Sequence, residues 1–251
     1  MKVIDFENRP LEGIFSLIYG DSGTGKTHLV SSIGELGYTL IVDADKGSRT
    51  IQTAPDLKKF YPNLEVADFN TFADIDGLYQ LAASNDPEKW SKSLGTTIDR
   101  PFDWIVLDTW TEIQWIMMQK LRSSIGKSSS RLDFRQNIGI QDWGSLTDLN
   151  KLCVESFKEL TRKGLNIVFV MQESVIQDAL TGATTKGPAI HGKLVKELPA
   201  YFEIVAHTYV DMQGKWHATT LPKQGWPAKT RLGVGEDIIN PYACQVFNFK
   251  K

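Results

Sequence analysis

The sequence predicts an α/β fold with a mostly parallel central sheet, flanked by helices and followed by a C-terminal β-hairpin. Three observations support this prediction. An apolar run that begins at Phe15 leads through a glycine-rich turn into a segment with helical spacing. A second continuous apolar run, Trp104 to Leu107, ends in an acidic residue, as buried parallel strands often do at a site. Strand and helix patterns alternate along most of the chain, which is typical of parallel sheets.

Length and composition set the outer limits of the interpretation. The 251 residues fit a single domain over 1–251 with enough apolar side chains for one core. The formal net charge of −2 means that any nucleic-acid surface has to be local. Cys153 and Cys244 are far apart, without metal-type pairing or a signal sequence, which predicts a reducing cytoplasm. The longest apolar runs are too short for a bilayer, so we expect no membrane partner.

The glycine-rich turn is the most specific signal in the chain. The segment Gly20 to Thr27 reads GDSGTGKT and fits the phosphate-binding pattern G-x-x-x-x-G-K-[ST] between a strand and a helix. Its glycines let backbone N–H groups converge on phosphate oxygens, whereas the alternative is a turn that binds nothing. Lys26 would reach the β- and γ-phosphates and Thr27 would ligate Mg²⁺. We therefore expect ATP and Mg²⁺ at a site formed by Gly20, Asp21, Ser22, Gly23, Thr24, Gly25, Lys26, Thr27 and His28.

The next elements bring acidic residues to the same edge of the sheet. A helix over 28–36 stops at Gly37, and the strand that follows ends in Asp43 and Asp45. Ligands of open α/β sheets bind at the carboxyl ends of the strands, where these acids fall. The remaining elements of this half are expected as an edge strand or arm over 1–13, a strand over 64–69, a helix over 75–84 and a polar loop over 85–100.

The apolar run Trp104 to Leu107 delivers Asp108 to the carboxyl edge. An apolar run that ends in Asp is common by itself. Its position about eighty residues after a phosphate loop favours the second element of such nucleotide sites. There the acid holds Mg²⁺ directly or through water, so Thr27 and Asp108 are the expected metal-side residues.

A helix over 111–121 is followed by a segment, 122–137, that has no periodicity. It is either a flexible surface loop or a mobile loop that binds single-stranded DNA. In the second interpretation Lys127, Arg131 and Arg135 contact phosphates while Phe134 stacks on a base. A further helix is expected over 143–163, with Trp143 as a packing residue.

The strand over 165–172 ends in Gln172, beside the expected nucleotide. An amide there can contact the γ-phosphate and report it to the following segment, 174–196. Loops longer than about fifteen residues are uncommon unless functional or disordered, so this segment is a second candidate DNA-binding loop. Lys186 and Lys193 are its candidate DNA contacts, and His191 is interpreted as a solvated loop residue. No His/Cys cluster indicates a zinc site.

The C-terminal part reads as a hairpin, with strands over 204–211 and 215–221 around a turn at Gln213-Gly214. Lys229 and Arg231 follow. They are either residues of a solvated turn or, if they lie on a strand, two cations that point the same way.

In this order the landmarks resemble the RecA-like ATPases, and among them the small core-only forms of bacteriophages, some of which anneal single strands. The resemblance covers nearly the whole chain and implies a RecA-like P-loop NTPase core. In that family a catalytic Glu ends the strand after the phosphate-loop helix. Val42-Asp43-Ala44-Asp45 matches that turn with Asp45 in place of Glu, which implies slower hydrolysis or hydrolysis by another acid.

The resemblance also assigns roles to later residues. Gln172 matches the γ-phosphate-sensing Gln before the second DNA-binding loop, and 122–137 occupies the place of the first. Lys229-Thr230-Arg231 is similar to the Lys-x-Arg motif that relatives insert into a neighbour's active site, which implies assembly into a ring or filament.

The expected function is an ATP- and Mg²⁺-dependent, single-stranded-DNA-binding ATPase in phage-type recombination or strand annealing. Water oriented by Asp45 would attack the γ-phosphate, with Lys26, Mg²⁺ and a neighbour's cations stabilising the charge. One alternative is a nucleotide-gated loader that binds a replication protein or a single-strand-binding protein. Another is a small-molecule kinase, which would normally need an acceptor pocket and cationic lid residues of its own chain.

Overall fold

The computed structural model describes residues 12–71, 73–124, 140–177, 182, 184–191, 194–223 and 225–247. Almost all of the expected N-terminal arm therefore lies outside the described residues. So do five of the predicted DNA contacts: Lys127, Arg131, Phe134, Arg135 and Lys193.

One sheet runs through the described part of the chain. Its ten strands there are β1 (Phe15–Gly20), β2 (Thr39–Asp43), β3 (Leu64–Asp68), β4 (Trp104–Asp108), β5 (Asn166–Gln177), β6 (Thr184–Pro188), β7 (Ile204–Val210), β8 (Trp216–Thr219), β9 (Lys229–Thr230) and β10 (Asp237–Ile239).

Parallel pairing joins the six central strands in the order β7-β1-β5-β4-β2-β3, so their carboxyl ends share one edge. The antiparallel strands β8 and β10 extend the sheet beyond β7, and β9 pairs with the beginning of β7. The carboxyl half of β5 projects past the parallel sheet and forms a hairpin with β6. The β1 strand is thus central, and its phosphate loop opens at the common carboxyl edge.

The alternation of side chains in β1 divides the core into two layers. Phe15, Leu17 and Tyr19 face one layer, while Ile18 faces the other, and all four are fully buried. Both faces of the central strands are covered by helices, which explains their nearly continuous apolar sequences.

Helices on both faces complete the fold, as α1 (Lys26–Ser31), α2 (Arg49–Thr53), α3 (Ala73–Ser84), α4 (Pro87–Leu94), α5 (Trp110–Ser124), α6 (Ile140–Thr161), α7 (Leu194–Glu197) and α8 (Ala243–Phe247), with 3₁₀ segments at Ser32–Glu35, Pro55–Asn63 and Leu198–Tyr201. Residues of α3, α5 and α6 pack in the first layer, and residues of α1 and α8 in the second. Over the described ranges, no helix combines the length and the apolar character that a membrane crossing requires.

The predicted α/β fold with a mostly parallel sheet and a C-terminal hairpin is confirmed. The strand predicted after the phosphate-loop helix is shorter than expected and ends at Asp43. The helix predicted from Trp143 already begins at Ile140.

The polar loop predicted over 85–100 is wrong, because α4 forms there. Asp86 caps the helix by accepting a hydrogen bond from the Glu88 N–H at 2.9 Å, Pro87 occupies the first turn, and Gly95 ends the helix at φ 67°. Its one buried anchor, Trp90, is only 1% exposed. These capping signals were present in the sequence, but the apolar face is too narrow to give a clear helical period.

The long loop predicted over 174–196 is also wrong in part. β5 continues to Gln177, β6 pairs with it in antiparallel register, and α7 follows. The four glycine and proline residues of this segment favoured a loop, while the pairing partner of β6 could not be read locally. Residues 122–124 of the other candidate loop, 122–137, belong to the last turn of α5, and the rest of that segment lies outside the described residues.

Candidate nucleotide site

The phosphate loop is built by glycines that the geometry requires. Gly23 and Gly25 adopt φ angles of 77° and 81°, in the left-handed region that favours glycine. A Cβ atom on Gly20 would lie 2.2 Å from Oγ1 of Thr208, so β7 can pack directly against the loop only because this residue is glycine. Thr24 fixes the loop to the sheet through a 2.8 Å hydrogen bond between its hydroxyl and that of Thr208.

Lys26 is the first residue of α1 and is buried, with only 6% of its surface exposed. Its ammonium group donates to the carbonyl oxygens of Gly20 and Asp21 at 2.9 and 2.7 Å, and to Oε1 of Gln172 at 3.1 Å. Burial lowers the pKa of Lys26, and the nearby Asp108 carboxylate opposes that shift. Phosphate oxygens would replace these neutral oxygens as acceptors for the ammonium group, and hydrogen bonds between two charged groups are stronger.

The metal-side residues predicted from the sequence lie together. The Thr27 hydroxyl donates to Oδ2 of Asp108 at 2.9 Å. The other oxygen, Oδ1, is buried and accepts no hydrogen bond from any described residue. Complete burial and the neighbouring Asp45 and Asp43 carboxylates raise the pKa of Asp108 to about 7. A divalent cation fits this set, because it would neutralise the crowded carboxylates and use an oxygen that has no partner.

The two acids at the end of β2, Asp43 in the strand and Asp45 just after it, have different surroundings. Asp43 is buried and accepts hydrogen bonds from the N–H groups of Gly47 and Ser48, both at 3.0 Å, so it holds the turn in place. Asp45 lines the pocket above the phosphate loop together with Lys26 and Gln172. Desolvation raises the pKa of Asp45, while a 2.9 Å hydrogen bond from the Gly47 N–H acts in the opposite direction. The pocket therefore brings together three of the predicted catalytic side chains.

A family model described as AAA domain matches residues 12–232, which is most of the chain. The chain belongs to this AAA domain family. This membership indicates a P-loop AAA-type ATPase domain, and the activity that it suggests is nucleotide-dependent ATP hydrolysis. No curated protein matches the chain.

The site of this AAA domain contains a side chain that the sequence analysis missed. Trp216, the first residue of β8, lines the same pocket as Lys26, and its ring lies close to Gly25. The ring of His28, a predicted nucleotide-binding residue, lies 5.3 Å away, centroid to centroid. A lone Trp in a hairpin gives no local signal, because its position depends on the pairing of β7 with β1 across the whole chain.

Among the described residues, three of the predicted catalytic and DNA-binding side chains do not line the pocket. Lys186, on β6, has its ammonium 2.7 Å from Oε1 of Glu173. Lys229 and Arg231 lie beside the beginning of β7, whereas the phosphate loop lies beside its end. The register places Lys229 level with Val205, roughly 10 Å along the strand from the level of Gly20. The pair is therefore at the amino edge of the sheet, remote from the pocket of its own chain.

Proposed function

We propose that this AAA-type domain binds ATP with Mg²⁺, assembles into a ring or filament, and couples its nucleotide state to the binding of single-stranded DNA, in phage-type recombination or strand annealing. The observation that carries the proposal is the contact of Lys26 with Gln172 at the point where β5 leaves the sheet for the hairpin.

The backbone of Gln172 is hydrogen-bonded both to the start of α5 and to the residue that follows β6. Its N–H donates to the Thr111 hydroxyl at 3.0 Å, and its carbonyl accepts from the N–H of Ala189 at 2.7 Å. Ala189 in turn accepts a 2.9 Å hydrogen bond from the Gln114 side chain. A shift of Gln172 toward a γ-phosphate would therefore move the base of the hairpin and the start of α5 together.

The neighbouring residue adds a charged connection. Glu173 is buried and bridges Lys186 on β6 and His207 on β7. The carboxylate thus holds a hairpin cation next to the strand that carries the phosphate-sensing amide. In the proposal, Lys186 forms its ion pair with Glu173 in one position of the hairpin and contacts a DNA phosphate when the hairpin moves.

Aromatic side chains next to the hairpin supply a surface that suits unpaired bases. His191 follows β6 and lies 4.3 Å from the ring of Trp143 and 6.3 Å from that of Trp115. Trp115 is 46% exposed, an unusual state for so large an apolar side chain. Stacking on aromatic rings is how proteins hold single strands without reading their sequence. This supports single-stranded DNA as the partner.

The proposal is tested by fluorescence anisotropy of a labelled oligothymidylate. We expect tight binding with Mg²⁺ and a non-hydrolysable ATP analogue, weak binding with ADP, and ATP hydrolysis that rises when the strand is added. Gln172→Ala should remove the difference between the nucleotides and weaken binding of the analogue by about tenfold or more, since a hydrogen bond to a charged group contributes about 1.5 to 3 kcal/mol. The matched control is Gln213→Ala, at an exposed glutamine in the β7–β8 turn.

A second candidate, the nucleotide-gated loader, is favoured by one observation. Asp45 is shorter than the expected Glu, and its carboxylate is already engaged by the Gly47 N–H. The shorter side chain reaches less far into the pocket, and the hydrogen bond occupies one of its carboxylate oxygens, so Asp45 is less well placed to orient an attacking water. ATP-dependent capture of a replication protein, with no effect of single-stranded DNA in the anisotropy and hydrolysis measurements, would replace the first function by this one.

A further inference from the structure

An aromatic wall stands beside the phosphate loop. Trp216 begins β8, opposite Val210 of β7, and its carbonyl accepts a 2.7 Å hydrogen bond from the Asn240 N–H. A Cβ atom on Gly25 would lie 3.2 Å from the indole, so the ring covers the last glycine of the loop. Trp216 is nevertheless 38% exposed, and it lines the same pocket as Lys26.

The neighbouring rings are held in fixed positions. His28 lies 5.3 Å from Trp216 and 5.8 Å from Tyr242 between ring centroids. Asp56 anchors both of these neighbours, with 2.8 Å between its Oδ2 and Nε2 of His28 and 2.9 Å to the Tyr242 hydroxyl. The wall therefore consists of Trp216, His28 and Tyr242, and of these three Trp216 is exposed while the other two are half-buried.

We propose that the indole of Trp216 is the platform on which the base of the bound nucleotide stacks, with His28 at its edge. The inference rests on the nucleotide-binding part of the proposed function and names the subsite for its base. In this arrangement the triphosphate would lie on the loop at Gly25 and Lys26, and the base would lie against Trp216, which lines the same pocket.

The physical reason is the match between surface and ligand. A purine has two apolar faces and a polar rim, and it gains most from an exposed aromatic face whose position is already fixed. Antiparallel pairing of β8 with β7 and β10 fixes the backbone of Trp216, so ordering it on binding costs little. Trp216 does not belong to either of the two core layers.

The test compares ATP with ribose 5-triphosphate, which carries the same phosphates without the base, by calorimetric titration in the presence of Mg²⁺. In the unaltered chain we expect ATP to bind at least about tenfold more tightly, the effect typical of one stacked base. Trp216→Ala should weaken the binding of ATP about tenfold or more and leave the affinity for ribose 5-triphosphate unchanged. Trp216→Phe should keep the ATP affinity within about threefold of the parent's. Met212→Ala, at a residue that is 99% exposed in the same hairpin, is the matched control.

Each contrary result has a distinct meaning. Equal affinity of the unaltered chain for the two ligands overturns the platform whether or not the variants fold. If Trp216→Ala weakens both ligands equally, the indole only supports the loop at Gly25, and the inference is wrong while nucleotide binding stands. If neither ligand binds the unaltered chain, the proposed function itself fails, and the inference with it.

Discussion

Nζ of Lys26 lies 3.1 Å from Oε1 of Gln172, which joins the phosphate loop to the strand that becomes the hairpin. The two residues are 146 positions apart, and the parallel pairing of β1 with β5 brings them together by aligning Gly20 with Gln172. A ligand that takes over the ammonium group of Lys26 necessarily changes the partner of Gln172. Binding of a ligand at Lys26 would therefore change the contacts at the base of the hairpin.

The first prediction concerns Lys26. Lys26→Ala removes a charge-assisted contact with the phosphates that is worth about 1.5 to 3 kcal/mol, so ATP binding should weaken at least about tenfold. Calorimetric titration with ATP and Mg²⁺ measures the change. Lys46→Ala serves as control, because this lysine is exposed and pairs with Asp68 on the surface. Unchanged ATP affinity in Lys26→Ala would contradict the assignment.

The parts of the site that the sequence predicted are those encoded by neighbouring residues. The phosphate loop follows β1 directly, and the buried run Trp104–Leu107 leads straight into Asp108, so pattern and position suffice. Trp216 could not be predicted, because the ring reaches Gly25 only after β7 has paired with β1 and folded back into β8. The role of a residue that depends on pairing between distant strands leaves no local trace.

The same reasoning explains the two errors in the fold. The sequence signals of α4 lie at its caps, Asp86 and Gly95. It has no clear apolar stripe, because Trp90 is its one buried side chain. In the β5–β6 hairpin, Gly187 and Pro188 looked like loop residues but pair with Ser174 and Glu173. Glycine and proline are tolerated there because β6 is an edge strand.

The second prediction concerns Asp108. Asp108→Asn should weaken Mg²⁺-dependent ATP binding at least about tenfold, because the carboxylate that faces the cation is lost. Without nucleotide the variant should melt at the same temperature or higher, since the buried charge beside Asp45 and Asp43 is removed. Titrations with and without Mg²⁺, together with a thermal melt, measure both effects. Should the dependence on Mg²⁺ persist at full strength, Asp108 is not the metal-side acid.

The third prediction concerns pH. Burial lowers the pKa of His207 below its ordinary value of 6.5, although the hydrogen bond with Glu173 opposes the shift. The unfolded chain therefore binds a proton near pH 6.5 that the folded chain does not yet bind. The contribution of His207 to the free energy of unfolding is fully present above about pH 6.5 and should be lost as the pH drops below that value. The raised pKa of Asp108 acts in the opposite direction over this range, so the effect of His207 is read from the difference between the parent chain and a His207 variant. Burial lowers the pKa of His191 as well, which adds to the trend.

Urea denaturation between pH 5 and pH 8 measures this slope. In His207→Asn the titrating group is gone, so the loss of stability toward pH 5 should be smaller than in the parent chain. An equal slope in the two proteins would mean that other groups control the acid sensitivity.

The last prediction concerns Arg231 and tests assembly together with mechanism. Arg231 and Lys229 lie at the amino edge of the sheet, where desolvation and the nearby Arg231 charge lower the pKa of Lys229. They are remote from the phosphate loop of their own chain, so a role in hydrolysis requires a second copy that places them against its neighbour's nucleotide. An arginine supplied in this way raises the rate by roughly a thousandfold or more. Arg231→Ala should therefore nearly abolish ATP hydrolysis while ATP binding to the isolated subunit stays unchanged.

Mixing variants separates this role from a defect in folding. Lys26→Ala lacks the phosphate-loop lysine but keeps Arg231, and Arg231→Ala has the opposite defect. A mixed assembly contains interfaces that pair an intact phosphate loop with an intact arginine, so two inactive proteins should together regain part of the parent's rate. Lys215→Ala, at an exposed lysine of the β7–β8 turn, should hydrolyse ATP normally and control for loss of positive charge. If Arg231→Ala alone hydrolyses ATP at the parent's rate, or if the mixture assembles and stays inactive, Arg231 has no role at the neighbour's site, and the ring or filament inferred from it is wrong.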